Sequence, residues 1–159
     1  MRFLSIMSVA AAVVVFMASC TDSETQTAKN IITAIQEAAN DLNRSGGAGC
    51  EIKLLAPSPY TVIYFYPYTS FDDEKLEDSA KRELKTIAFS LEKPLFAVVG
   101  HGKVLAYGGV KLSLEPSRPM PMMWPPLEPP LTMPMMWPPQ DGAIRIGFRK
   151  KSDGQYILY

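Results

Sequence analysis

The chain contains one histidine, His101, and two cysteines, Cys20 and Cys50. Familiar catalytic spacings are missing as well: there is no glycine-rich phosphate loop, no HExxH and no GxSxG. Neither sign of charge dominates, with 16 basic and 16 acidic side chains, so the basic stripe that nucleic acid demands is lacking. The longest apolar run, Phe3 to Ala18, covers 16 residues. That is short of the roughly 20 needed to cross a bilayer. These absences argue against an enzyme and against a nucleic-acid partner. The 159 residues suit one domain.

What is present begins with an address. The chain opens "MRFLSIMSVAAAVVVFMASC", a basic start at Arg2 followed by an apolar stretch of export-signal length. Its end, "MASC", resembles the lipobox of bacterial lipoproteins, with small residues at Ala18 and Ser19 before the cysteine and Met17 in place of the more usual Leu. The resemblance covers the signal alone. It implies a signal peptide over 1–19 and acylation of Cys20 (palmitate among the chains). The mature protein would be held at a membrane of the cell envelope, facing the periplasm or the exterior, because two or more acyl chains anchor firmly. An uncleaved anchor and a secretory signal cut elsewhere are the other readings. With Cys20 lipidated, Cys50 is left alone and no internal disulfide can form. In "GGAGCEIKLL", Cys50 reads as a small half-buried hydrophobe, with a redox or intermolecular thiol as the alternative.

After a short tether over 20–25, one domain is expected over 26–159, interrupted at 114–139. Ala28, Ile31, Ile32, Ile35, Ala38, Ala39 and Leu42 fall at helical spacing. Ser23 with Gln26 suggests a capping box, and Gly46–Gly47 a stop. "CEIKLLA" and "YTVIYFYPY" read as strands on either side of a proline break. In the second, Val62, Tyr64, Tyr66 and Tyr68 share one face and Ile63 and Phe65 the other, so both faces are apolar and the strand is central. Tyr64, Tyr66 and Tyr68 are either core residues with hydroxyls at the rim or an aromatic platform for a glycan or a proline-rich segment.

The stretch from Ser70 to Lys93 predicts a helix with an apolar stripe of Leu76, Ala80, Leu84, Ile87 and Leu91. Its adjacent acids, Asp72–Asp73 and Glu77–Asp78, diverge by about 100° and form a solvated face instead of a catalytic pair. "LFAVVGHGKVLAYGGVKL" reads as a hairpin with His101 at its tip, and "AIRIGFRKKSDGQYILY" as another, turning at Asp153–Gly154. Arg149, Lys150 and Lys151 read as a solvated edge or a contact to anionic headgroups. The expected class is α+β. A mostly antiparallel sheet of about six strands carries two helices on one face, in the order α-β-β-α-β-β-β-β.

The interruption is a tandem repeat. "LEPSRPMPMMWPP" (114–126) and "LEPPLTMPMMWPP" (127–139) agree at ten of thirteen positions. All six methionines beyond the signal and ten of the fourteen prolines lie within it. Proline at this density excludes helix and central strand and favours polyproline II, in which each unit reaches about 40 Å. The segment is therefore expected to be an arm outside the core. Its Met120, Met122, Met123 and Trp124, then Met133, Met135, Met136 and Trp137, form pliable apolar clusters suited to another envelope protein or to the tyrosine face of the chain's own domain. A second reading takes Met120, Met123, Met133 and Met136, with His101, as thioether and imidazole ligands for Cu(I) or Ag(I); the clusters look like those of periplasmic copper and silver carriers. A third is a duplication tolerated in a structural lipoprotein, without any function of its own. Binding through the arm, without a cofactor, is the expected activity.

Overall fold

The computed structural model describes residues 21–56, 59–115 and 133–159. The signal peptide, Cys20 and the repeat residues 116–132, with Met120, Met122, Met123 and Trp124, lie outside the described residues. The chain is α+β, with two helices and seven strands in two antiparallel sheets among the described residues. Among the described residues no helix is long and apolar enough to cross a membrane.

Helix α1, Thr21–Ser45, carries the expected stripe: Ala28, Ile31, Ile35 and Ala39 are buried. It starts earlier than the Ser23–Gln26 box implied, so most of the expected tether is helical. Thr27 Oγ1 donates instead to the Ser23 carbonyl at 2.6 Å, and Gln26 to Asn30 Oδ1 at 2.9 Å. The stop is as read. Gly46 takes φ +64°, and its N–H donates to Leu42 O at 2.8 Å.

The first sheet pairs β1 (Gly49–Leu55) with β6 (Ala143–Lys150), and β6 with β7 (Tyr156–Leu158). The second runs β4-β3-β2-β5, from β4 (Lys103–Gly108) through β3 (Leu95–Gly100) and β2 (Thr61–Phe65) to β5 (Met135–Trp137). Strand β2 is interior and two-faced, as its alternation required. Val62 and Tyr64 join α1 and the first sheet in one core; Ile63 and Phe65 join α2 (Asp78–Phe89) in another. The two helices therefore cover opposite faces of the four-stranded sheet, not one face as expected. A strand apolar on both sides has to be covered on both sides.

Helix α2 is shorter than its sequence signal because Ser70 does not cap it. Ser70 Oγ bonds the Asp72 carboxylate, and Asp73 Oδ1 accepts the Lys75 N–H at 2.8 Å. Such local side-chain bonds compete with helix. They hold a turn that lowers Phe71 and Leu76 into the second core, and the helix starts after Glu77.

Leu84 is fully buried at the centre of α2's contact with the sheet. Leu84→Ala should lower unfolding stability by about 2–5 kcal/mol in denaturant titration, the range for emptying a leucine site in a core.

Candidate partner-binding surface

The direction of α1 sets the two ends of the domain. At its N-terminal end Glu24 lies 3.3 Å from His101, at the tip of the β3–β4 hairpin. His101 (φ +49°) and Gly102 (φ +68°) form the two-residue turn, and Ser79 Oγ at the start of α2 donates to Gly102 O at 2.6 Å. At the other end, Tyr156 hydroxyl donates to Gly47 O at 2.7 Å, just beyond α1. A 25-residue helix separates these ends by about 37 Å.

The repeat is attached at this second end. Leu114 bridges Tyr156, and the Glu115 N–H donates to Tyr156 O at 2.8 Å. Tyr66 hydroxyl donates to Glu115 O at 2.9 Å, and Lys151 Nζ contacts Glu115 Oε1 at 2.8 Å. On return, β5 runs antiparallel to β2 with Met135 opposite Tyr64, which puts Met133 beyond it toward Tyr66. Residues 115 and 133 thus sit at the same end of the fold.

The described part of the second repeat copy, 133–139, is packed on the domain. Met135–Trp137 is an edge strand; Met135 packs on the core beneath α1, and Met136 on the core beneath α2. The Trp137 ring lies 6.2 Å from Phe96, and its indole N–H donates to Tyr159 O at 3.2 Å, joining the two sheets. Proline excludes a central strand, and here it brackets a three-residue edge strand at Pro134 and Pro138. The turn Asp141 (φ +51°) and Gly142 (φ +73°) then carries the chain into β6. That Asp-Gly pair was a legible turn signal missed beside the proline repeat.

Tyr64 is sealed, 1% exposed, and its hydroxyl donates to Tyr66 Oη at 3.1 Å. Almost none of it is exposed, yet it borders the groove described below, and Tyr66 is half-buried. Burial first, and the bond to Tyr66 second, push the Tyr64 phenol far above its ordinary range. The exposed tyrosine of this stretch is Tyr68, whose ring meets Phe89 at 6.1 Å in an edge-to-face pair, 48% and 82% exposed. Tyr68 has φ +62° in a Tyr66–Thr69 turn closed by the Thr69 N–H to Tyr66 O bond at 3.2 Å. Glycine is the usual residue there. Phe89 was overlooked, yet it stands off the apolar stripe among the polar residues Lys85, Thr86 and Ser90, which is a readable signal.

No family model, curated protein or solved structure matches this chain. The surface therefore has to be read from its own chemistry. Near the repeat's attachment lies a groove of about 410 Å³, lined by Tyr66, Lys93, Pro94, Lys111, Leu112 and Leu114. With Tyr68, Phe89 and the exposed Met133, this end of the fold offers apolar contact inside a rim of lysine.

Of the soft-metal set, Met120 and Met123 lie outside the described residues, and the described members Met133, Met136 and His101 are not brought together. Met136 is level with Ile63 and Ala97, whereas His101 is four residues past Ala97. That is about 13 Å along the strands and about 10 Å across two strand spacings, far beyond a ligand bond. Met133 stands at the opposite end from His101. The basic cluster is dispersed too: Arg149 lies over the Tyr159 ring at 5.8 Å, Lys150 Nζ donates to Gly46 O at 3.1 Å, and Lys151 pairs with Glu115. Cys50 is half-buried, and burial, with Asp41 second, raises its thiol pKa, which disfavours the reactive thiolate.

A phenol whose folded pKa is raised contributes stability that is intact below about pH 10 and lost above it, as the unfolded chain ionises. Unfolding stability should therefore decline as pH rises past about 10, and Tyr64→Phe should make that decline shallower by about 1.4 kcal/mol per pH unit. Denaturant titrations at stepped alkaline pH measure both slopes.

Proposed function

We propose that this chain is a lipid-anchored protein of the bacterial cell envelope that acts by binding another envelope protein, using the end of the domain remote from its anchor. The observation that carries the reading is the attachment of both ends of the repeat segment at the end of α1 opposite Thr21. With Cys20 in the membrane, the helix would hold that end away from the lipid surface. The attachment points Glu115 and Met133 and the groove beside Tyr66 would then face outward together.

The Tyr68–Phe89 pair supports the same reading. A large exposed ring kept in a glycine conformation costs about 1–3 kcal/mol of strain, and such residues cluster at binding sites. Exposed aromatic side chains are also enriched among the residues that dominate interface energetics.

Deleting 116–132 while keeping β5 should abolish a crosslinked partner band from membranes and leave the unfolding midpoint near wild type. The smaller deletion is required because removing 114–139 would strip the edge strand and Trp137. Tyr68→Gly and Phe89→Ser should weaken the same band, with Phe89→Ser changing stability by less than about 0.5 kcal/mol and Tyr68→Gly leaving it equal or raised. A band indifferent to all three changes would refute the reading. Cys20→Ser should shift the chain from the membrane to the soluble fraction.

A further inference from the structure

We propose that β1 pairs edge to edge with β1 of a second copy of this chain, joining the two three-stranded sheets into one. The unmatched hydrogen-bonding edge of β1 points to it. Lys150 N–H donates to Ala48 O at 2.7 Å, and Ala56 N–H to Gly142 O at 3.1 Å. These bonds and the Gly49↔Arg149 register put the even-numbered residues Cys50, Ile52 and Leu54 in hydrogen-bonded pairs with β6. Antiparallel ladders alternate, so the N–H and C=O groups of Gly49, Glu51, Lys53 and Leu55 point away from the sheet. Among the described residues nothing covers them.

The other three sheet edges are guarded. The outward groups of Tyr156 on β7 are taken by Ser113 O at 2.9 Å and the Glu115 N–H at 2.8 Å. On β4, the Val104 N–H donates to Glu83 Oε2 at 2.8 Å, and just past the strand Gly109 O accepts from Gln36 Nε2 at 2.9 Å. Strand β5 has three residues bracketed by Pro134 and Pro138. Strand β1 runs for seven residues without a proline, the kind of edge that accepts another strand.

A second copy fits the edge in one symmetric register. With the twofold axis at Ile52, Glu51 faces Lys53 of the second copy and Lys53 faces its Glu51. Both are outward-facing, hydrogen-bonding positions. The side chains of Glu51 and Lys53 are exposed on the solvent face, so each opposed pair joins an acid to a base. Glu51 already lies 3.6 Å from Arg145, and its carboxylate retains acceptor capacity for a second cation. The same register sets the exposed Leu55 against Gly49, where no side chain obstructs it. Such an isologous contact closes on itself and does not propagate into a fibre.

The test uses the full chain in detergent over a range of protein concentrations, with mass and residue-resolved amide hydrogen exchange as readouts. A dimer should form with rising concentration as the Glu51 and Lys53 amides become protected. The Cys50, Ile52 and Leu54 amides, bonded to β6, should be protected throughout and report that the fold persists. Lys53→Glu, which sets acid against acid, should weaken dimerisation about tenfold or more, and Glu51→Lys should do the same. The double variant Glu51→Lys/Lys53→Glu restores opposite charges and should recover the dimer. A chain that stays monomeric, a dimer that leaves the Glu51 and Lys53 amides unprotected, or a dimer indifferent to both single reversals would each overturn the proposal.

Discussion

Burial of β2 on both faces is the constraint on which the rest of the structure depends. Val62, Ile63, Tyr64 and Phe65 are successive residues, and none is more than 1% exposed. Side chains alternate across a strand, so this run requires two separate apolar covers and a hydrogen-bonded neighbour on each side. Helix α2 supplies one cover through Ala80, Leu84 and Ala88; α1 and the three-stranded sheet supply the other. Strand β3 supplies one neighbour. The second neighbour is β5, from the proline-rich repeat.

That last requirement explains how a segment of unusual composition belongs to the fold. Methionine and tryptophan are apolar and adaptable, and three such residues between prolines make a short edge strand that cannot lengthen. Met135, Met136 and Trp137 alternate in the strand, and the neighbouring methionines reach different cores on opposite faces of the sheet. Trp137 adds a hydrogen bond to Tyr159 and so links an edge of one sheet to the end of the other. The repeat is thus partly structural, since Met135–Trp137 is a strand of the four-stranded sheet.

Much of the architecture was legible in local pattern. The α1 stripe, the two-faced character of β2, the His101–Gly102 and Asp153–Gly154 turns and the alternation of β6 all follow from spacing between near neighbours. Helix boundaries were less so, because Ser70, Asp72 and Asp73 can cap a helix or close a turn with the same oxygens. The candidate surface was legible in part. The tyrosine face was visible, but which tyrosine is sealed depends on Phe96 and Glu115, distant residues that cover Tyr64 and hold Tyr66. Phe89 was readable as an apolar ring on a polar helix face; the φ of Tyr68 was not, since it is imposed by buried Thr69.

By itself the sequence determined the α+β class, most elements, their apolar faces, and a first twenty residues that resemble a lipoprotein signal. Periodicity and turn chemistry act within a few residues, so a single chain displays them directly. Tertiary structure alone decided that there are two sheets, that the helices lie on opposite faces, and that Met135–Trp137 is a strand. Polyproline II and an edge strand are both extended, and proline tolerates both. The choice rests on hydrogen bonds to β2 and on apolar cover from Phe96, groups that the repeat does not contain.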